Sequence, residues 1–260
     1  TDYYTFTTDQ PGKLSVTLGD ETQSSGYLGW SLFLYNSDRE QIGKTELTQG
    51  TASVTIPEQG FDPGTFYIQV KTNAMTNGNW SGAEQYTLTA DFTPTDSTYE
   101  SEPNDSTSRA DVMLPNTPVS GKLSDESDVD YYKVTLDSAA QFSLCLEHAL
   151  PDDLSSSGTP WTVTCYPFDE KTGTLREDKA VTLDAALGKT KTESETVLVR
   201  GSTYYVEVRH KGYGGFSDLE YTLTMQAEML TYTKGDVNAD GSIDSTDVFV
   251  MMYSCAKKAV

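Results

Sequence analysis

Near the C-terminus, six oxygen-bearing side chains stand at a spacing that suggests a chemistry. Asp236, Asn238, Asp240, Ser242, Asp244 and Asp247 occupy positions 1, 3, 5, 7, 9 and 12 of a loop. Gly241 sits at position 6, where the chain must turn sharply, and Ile243 at position 8 can pack inward. Hard oxygen donors at these intervals wrap around Ca2+, with position 7 giving its backbone carbonyl so that Ser242 need not use its side chain. The carboxylates of this one turn would repel each other strongly with no cation among them. Ca2+ is therefore the expected ligand.

The elements around the loop are unusual for an EF-hand. Position 12 is Asp247 where Glu is normal, and "LTYTKG" precedes the loop where a helix is normal. The apolar run "VFVMM" then starts a helix. Loop and helix together resemble a type I dockerin. That resemblance implies recognition of a cohesin through positions 10 and 11, here Ser245 and Thr246. A complete dockerin has two such loops and this sequence carries one, so the second is expected in a longer parent protein.

Composition narrows the partners. Against 39 acidic residues stand 18 basic ones, a net charge of -21. Such a surface repels phosphate backbones, which argues against nucleic acid and leaves neutral ligands and divalent cations. Aromatic residues make up 11% of the chain, more than a disordered polymer carries. No apolar run approaches the roughly 18 residues of a membrane span. The opening "TDYYTFTTD" already reads as a strand, as expected of an excised or processed fragment of a secreted protein. Cys145, Cys165 and Cys255 form no disulfide framework, and no Cys/His cluster suggests zinc.

One unit is written twice. "DYYTF" at Asp2 answers to "DYYKV" at Asp130, and "KLSVTL" at Lys13 to "QFSLCL" at Gln141. Trp30 falls opposite Trp161, "PGTFYIQV" from Pro63 opposite "GSTYYVEV" from Gly201, and "QYTLTA" from Gln85 opposite "EYTLTM" from Glu220. Each block alternates and is rich in Thr, Tyr, Val and Phe, with Gly, Pro, Asn and Ser clusters between. The fold class expected is all-β: two tandem antiparallel, jelly-roll-like sandwiches with a short calcium loop and helix behind them. The boundaries expected are 1–95 for the first sandwich, whose first strand is missing, 96–229 for a linker and the second, and 230–260 for the partial dockerin. The repeat also puts Cys145 in the outward register and Cys165 in the inward one, so the two thiols should not pair.

Between the repeats, "TPTDSTYESEPNDSTSRAD" is polar and patternless, and reads as the linker. Within it, "EPND" is followed by "GKL" at Gly121 and "DVDYYKV" at Asp128, then "GSTYYVEV" and "EYTL". That order resembles the bacterial pre-peptidase C-terminal domain family, which implies a secreted β-sandwich module appended to enzymes or surface proteins. The resemblance covers 102–226 directly and 2–90 through the repeat.

What the sandwiches bind is suggested by aromatics outside the strand pattern. Sugar recognition uses flat aromatic faces, with amides and hydroxyls reading the ring hydroxyls. Trp80 in "TNAMTNGNWSGAEQ" and Tyr213 and Phe216 in "HKGYGGFSDLE" sit on Gly-rich connections with no obvious core to fill. Tyr27 in "SSGYLGW" is a further candidate. Trp30 and Trp161 begin alternating strands and read as core. No GxSxG, HExxH or phosphate-binding glycine loop occurs, and no carboxylate pair is singled out for hydrolysis. With the dockerin resemblance, the expected function is non-catalytic polysaccharide binding in a starch- or cellulose-degrading complex, α-glucan favoured. The alternative is a structural or protein-interaction module.

Overall fold

The computed structural model describes residues 1–19, 29–48, 51–73, 85–96, 98–150, 161–185, 188–211, 219–230, 237 and 244–258. Tyr27, Trp80, Tyr213, Phe216, Asp236, Asn238, Asp240 and Ser242 lie outside them. The first repeat forms β1 (Asp2–Thr8), β2 (Gly12–Gly19), β3 (Gly29–Tyr35), β4 (Gln41–Leu47), β5 (Ser53–Phe61), β6 (Gly64–Asn73) and β7 (Thr87–Pro94). The second is preceded by β8 (Asp111–Val112) and β9 (Val119–Gly121). It then runs through β10 (Val129–Leu136), β11 (Ala140–His148), β12 (Trp161–Asp169), β13 (Thr174–Leu175) and β14 (Val181–Asp184). It closes with β15 (Lys191–Glu193), β16 (Val197–Val199), β17 (Ser202–His210) and β18 (Tyr221–Met229). The helix α1 (Ser245–Lys258) ends the described chain.

Both repeats build the same pairings. In the first, one sheet has the order β1-β6-β3-β4 and the other β5-β2-β7. In the second, β10, β17, β12 and β14 follow in the first order, and β15 and β16 flank β11 with β18 beyond it in the second. Even registers agree: Leu34 faces Ile68 across the ladder as Cys165 faces Val206. The second repeat gains two edge strands, β8 parallel to β10 and β9 on β18.

Alternation makes each pair of sheets a sandwich, because strand side chains point to opposite faces. Leu14, Val16 and Leu18 of β2 meet Trp30, Leu32 and Leu34 of β3 in one core. Phe142, Leu144 and Leu146 of β11 meet Trp161, Val163 and Cys165 of β12 in the other. Trp30 and Trp161 are both core residues, as their register requires. Cys145 and Cys165 are free thiols. Cys145 keeps the outward register yet is buried, because β15 lays Lys191 and Glu193 beside it.

The segment between the repeats is not patternless in space. Tyr99 bridges to Ser120, Glu102 N–H donates to Gly60 O at 2.8 Å, and Asp62 N–H donates to Ser101 Oγ at 2.8 Å. Residues 99–104 thus bond to the end of β5 on one side and cap the second sandwich on the other. Ion pairs Lys13–Glu220 and Arg109–Glu40, each 2.6 Å, join the two repeats nearby.

Candidate functional site

The capping segment delivers carboxylates to the end of the second core. Glu100 and Asp130 are almost wholly buried and Glu102 is half-buried. One oxygen from each lies within 4.8 Å of the others. Asp130 reaches this place because it shares the inward register of Tyr132, Val134 and Leu136 on β10. Lys122 N–H donates to Glu100 Oε1 at 2.6 Å, and Tyr132 Oη and Tyr221 Oη reach Glu100 Oε2 at 3.2 and 3.3 Å. Tyr221 Oη also donates to Asp130. The backbone must come close here: a Cβ on Gly121 would stand 2.4 Å from Glu100 Oε2 and 2.5 Å from Tyr221 Oη.

Among the described residues no cationic side chain pairs with these carboxylates. Burial pushes the Glu100 carboxyl up to about 8 and Glu102 up to about 9, and raises Asp130 well above the usual range. Three buried oxygens, Glu102 Oε1, Asn104 Oδ1 and Asp130 Oδ1, have no hydrogen-bond partner among the described residues. Buried acceptors without donors are costly, so the cluster must hold protons or a cation. An all-oxygen set with free lone pairs suits a hard divalent ion such as Ca2+. Sequence reasoning missed this cluster. Its one legible signal was an aspartate, Asp130, at an inward strand position.

At the C-terminus the described part of the predicted loop is its closing end. Asp247 is buried in the first turn of α1, and its two carboxylate oxygens accept Val237 N–H at 2.6 Å and Asp244 N–H at 2.8 Å. Asp244 Oδ1 in turn accepts Thr246 N–H at 2.7 Å. Position 12 therefore ties the beginning of the loop to its end. Ser245 and Thr246 are exposed, as are Val248, Phe249 and Met252 along the helix.

A groove of about 830 Å³ lies over the β11–β18 face. Glu147, Thr222, Glu220, Lys122 and Lys191 line it, with Glu58 of β5 contributing from the first repeat. In the chain, Leu219 and Glu220 follow directly on the segment that carries Tyr213 and Phe216. Although desolvation acts against it, Lys13 holds the Glu220 carboxyl below its ordinary value. Burial raises Asp111 and Asp128 beside the cluster as well, whereas Glu220, on the groove, is lowered.

The fold is an all-β double sandwich. No family model and no curated protein sequence matches the chain. Among solved structures, it is similar to the pre-peptidase C-terminal domain of collagenase from Bacillus anthracis, at 16% identity and TM-score 0.33, covering 45% of this chain and 94% of that one. It is also similar to the N-terminal CBM22-1-CBM22-2 tandem domain of Xyn10C from Paenibacillus barcinonensis, at 10% identity and TM-score 0.26, covering 85% and 79%. A Sulfurospirillum deleyianum protein matches at 12% identity and TM-score 0.27, covering 42% and 98%. Likenesses of this size carry no argument about function. No helix among the described residues is long and apolar enough to cross a membrane.

Proposed function

We propose that the chain is a secreted, non-catalytic polysaccharide-binding protein, with α-glucan the favoured ligand, joined to a larger assembly through its C-terminal segment. The observation that carries the reading is the polar groove over the β11–β18 face, to which Glu58 of the first repeat contributes. It is large enough for linked sugar rings, and carboxylates, ammoniums and threonine hydroxyls converge on it. A carboxylate accepts from two neighbouring sugar hydroxyls at once, and such charge-assisted bonds are the stronger kind. The segment that carries Tyr213 and Phe216 adjoins it in sequence, and those residues would supply stacking faces. Hydrolysis would need a carboxylic acid of raised pKa across the cleft from a second carboxylate. Glu220, held low by Lys13, is unsuited to be that acid.

The C-terminal segment fits the second half of the proposal. Ca2+ held by Asp236, Asn238, Asp240, Ser242, Asp244 and Asp247 would order the loop, and exposed Ser245 and Thr246 would face a cohesin. Affinity electrophoresis through starch, xylan and soluble cellulose derivatives tests the binding. Retardation by starch is expected, and a chain retarded by none would be a spacer or protein-interaction module instead. Reducing-sugar release above a heat-killed control would overturn the non-catalytic assignment.

A further inference from the structure

We infer a second glycan-binding surface, apart from the groove: the outward face of the β1-β6-β3-β4 sheet, which takes the ring faces of a neutral glucan chain. The inference rests on the glycan reading for its ligand class. Register places Tyr3, Gln69, Phe33 and Lys44 in one row across the four strands, and Thr5, Tyr67 and Tyr35 in the next. All of these point away from the core formed by Phe66, Ile68, Leu32 and Leu34. Tyr3 is 70% exposed, and Phe33, Tyr35 and Tyr67 are half-buried, so their rings are open on one side.

The aromatics are held in place. Gln69 Nε2 donates to Tyr3 Oη at 2.6 Å, while Tyr35 Oη donates to Gln69 Oε1 at 3.2 Å. One amide thus orients two tyrosines. Phe33 and Tyr35 lie with centroids 6.3 Å apart and planes 23° from parallel. Lys44 Nζ stands 5.8 Å from the Phe33 centroid and is itself paired with Glu46 at 2.9 Å. Rigid aromatics that are ordered before binding lose little freedom on contact.

Charge selects the ligand. In a chain of net charge -21, these two rows carry no carboxylate. Apart from the Lys44–Glu46 pair at its edge, the surface presents phenol and amide groups, which fit an uncharged polyol. Tyr3 and Phe33 sit two strands apart, roughly 9.5 Å, about the run of two linked pyranose rings. Strand twist of about 20–25° per step turns the face by some 45° over that distance, which suits a helical α-glucan better than flat cellulose.

The duplication supplies independent support. Tyr131, Tyr166 and Tyr205 stand in the second repeat where Tyr3, Tyr35 and Tyr67 stand in the first. Core residues survive duplication because folding needs them; outward tyrosines fill no core, and strand propensity alone would accept Val, Ile or Thr in their place. The second copy differs in charge and at Tyr205. Glu207 replaces Gln69, accepts from Tyr131 Oη at 2.5 Å and pairs with Arg209 at 3.2 Å, and Phe168 covers Tyr205 with centroids 5.3 Å apart. Tyr205 is buried in the second copy where Tyr67 is half-buried in the first, while Tyr131 and Tyr166 stay half-buried.

The test compares the full chain with Tyr3→Ala/Phe33→Ala on the platform and Glu147→Gln/Lys191→Ala in the groove. Each is run in native gels containing amylopectin and titrated with maltoheptaose, with thermal melts as a fold control. The platform variant should melt like the parent and bind about tenfold more weakly, the worth of two stacking contacts. Undiminished binding by the platform variant, with loss in the groove variant, would overturn the platform and leave the glycan reading standing. A parent chain bound by no glucan, or a platform variant that loses a protein partner and no sugar, would overturn it as well.

Discussion

Tyr86 and Tyr221 hold the same place in the two repeats. Each donates its hydroxyl to the aspartate of an Asp-Tyr-Tyr triplet, Asp2 or Asp130, and each meets the second tyrosine of that triplet, Tyr4 or Tyr132, at 2.7 Å between oxygens. In the first repeat the latch is exposed. In the second, Glu100 and Glu102 are laid over it and it is buried.

That difference sets the cost of breaking the latch. Tyr221→Phe leaves buried Asp130 short of a donor and should destabilise the second sandwich by roughly 1–3 kcal/mol. Tyr86→Phe exposes its partners to water and should cost less, roughly 0.5–1 kcal/mol. Urea unfolding of both variants measures this; equal losses would show that burial of the second latch is unimportant.

The buried cluster predicts an inverted pH response. Carboxyls raised in the folded chain hold protons that the unfolded chain has released, so the folded state binds more protons above the ordinary carboxylate range. With chelator present, stability should be full below about pH 4.5 and fall as pH rises through about 8 and 9. Ca2+ should restore it most at the alkaline end. Thermal melts from pH 5 to 9, with and without Ca2+, read the slope, and Glu100→Gln/Glu102→Gln should flatten it. A chelated chain whose melting temperature ignores pH would refute the cluster's protonation.

Most of the fold was legible because alternation is a two-fold signal that folding cannot easily disguise. Leu14, Val16 and Leu18 identified an inward face, and the repeat carried that reading to Phe142, Leu144 and Leu146. The acidic cluster was hidden for the opposite reason. Glu100 and Glu102 lie in a stretch of polar neighbours, where nothing local marks a side chain as buried; only the three-dimensional closure over β10 and β18 does so. The outward tyrosines were overlooked because Tyr also favours strands, so Tyr3 and Tyr67 read as β-propensity. The loop aromatics Trp80, Tyr213 and Phe216 fall outside the described residues.

Trp161 fixes the meaning of a stability control. It is fully buried, with the His148 ring 4.6 Å away by centroid. Trp161→Ala should cost roughly 3–5 kcal/mol, as truncation of a buried aromatic does. Trp80→Ala should weaken glycan binding and leave the melting temperature nearly unchanged. Calorimetry beside thermal melts separates the two effects.

The thiols offer a further check. Burial raises both, Cys165 strongly, whereas Lys191 partly offsets the rise at Cys145. In a Cys255→Ser background, iodoacetamide should modify the native chain slowly, Cys145 before Cys165, with fast labelling only after unfolding. Mass spectrometry of timed samples gives the order.

Loss of Asp247 should release the C-terminal loop. Asp247→Ala removes the acceptor of Val237 and Asp244 N–H, and should abolish Ca2+ uptake by the tail and lower helix content in circular dichroism. Calorimetry showing no uptake that depends on Asp236 or Asp247 would sink the calcium assignment.

The strap at residues 99–104 has a mechanical consequence. Any pull that runs along the chain from one repeat to the next passes through it, and it is pinned on both sides: Glu102 to Gly60, Ser101 to Asp62, Glu100 to Lys122. Peeling it away would pull Glu100 off the Tyr132 and Tyr221 hydroxyls and draw Glu102 away from Asp130. Stretching the protein and uncovering its buried carboxylates are therefore one event. Whatever neutralises those carboxylates adds to the tension the chain bears, beside the Lys13–Glu220 and Arg109–Glu40 pairs that also join its two halves.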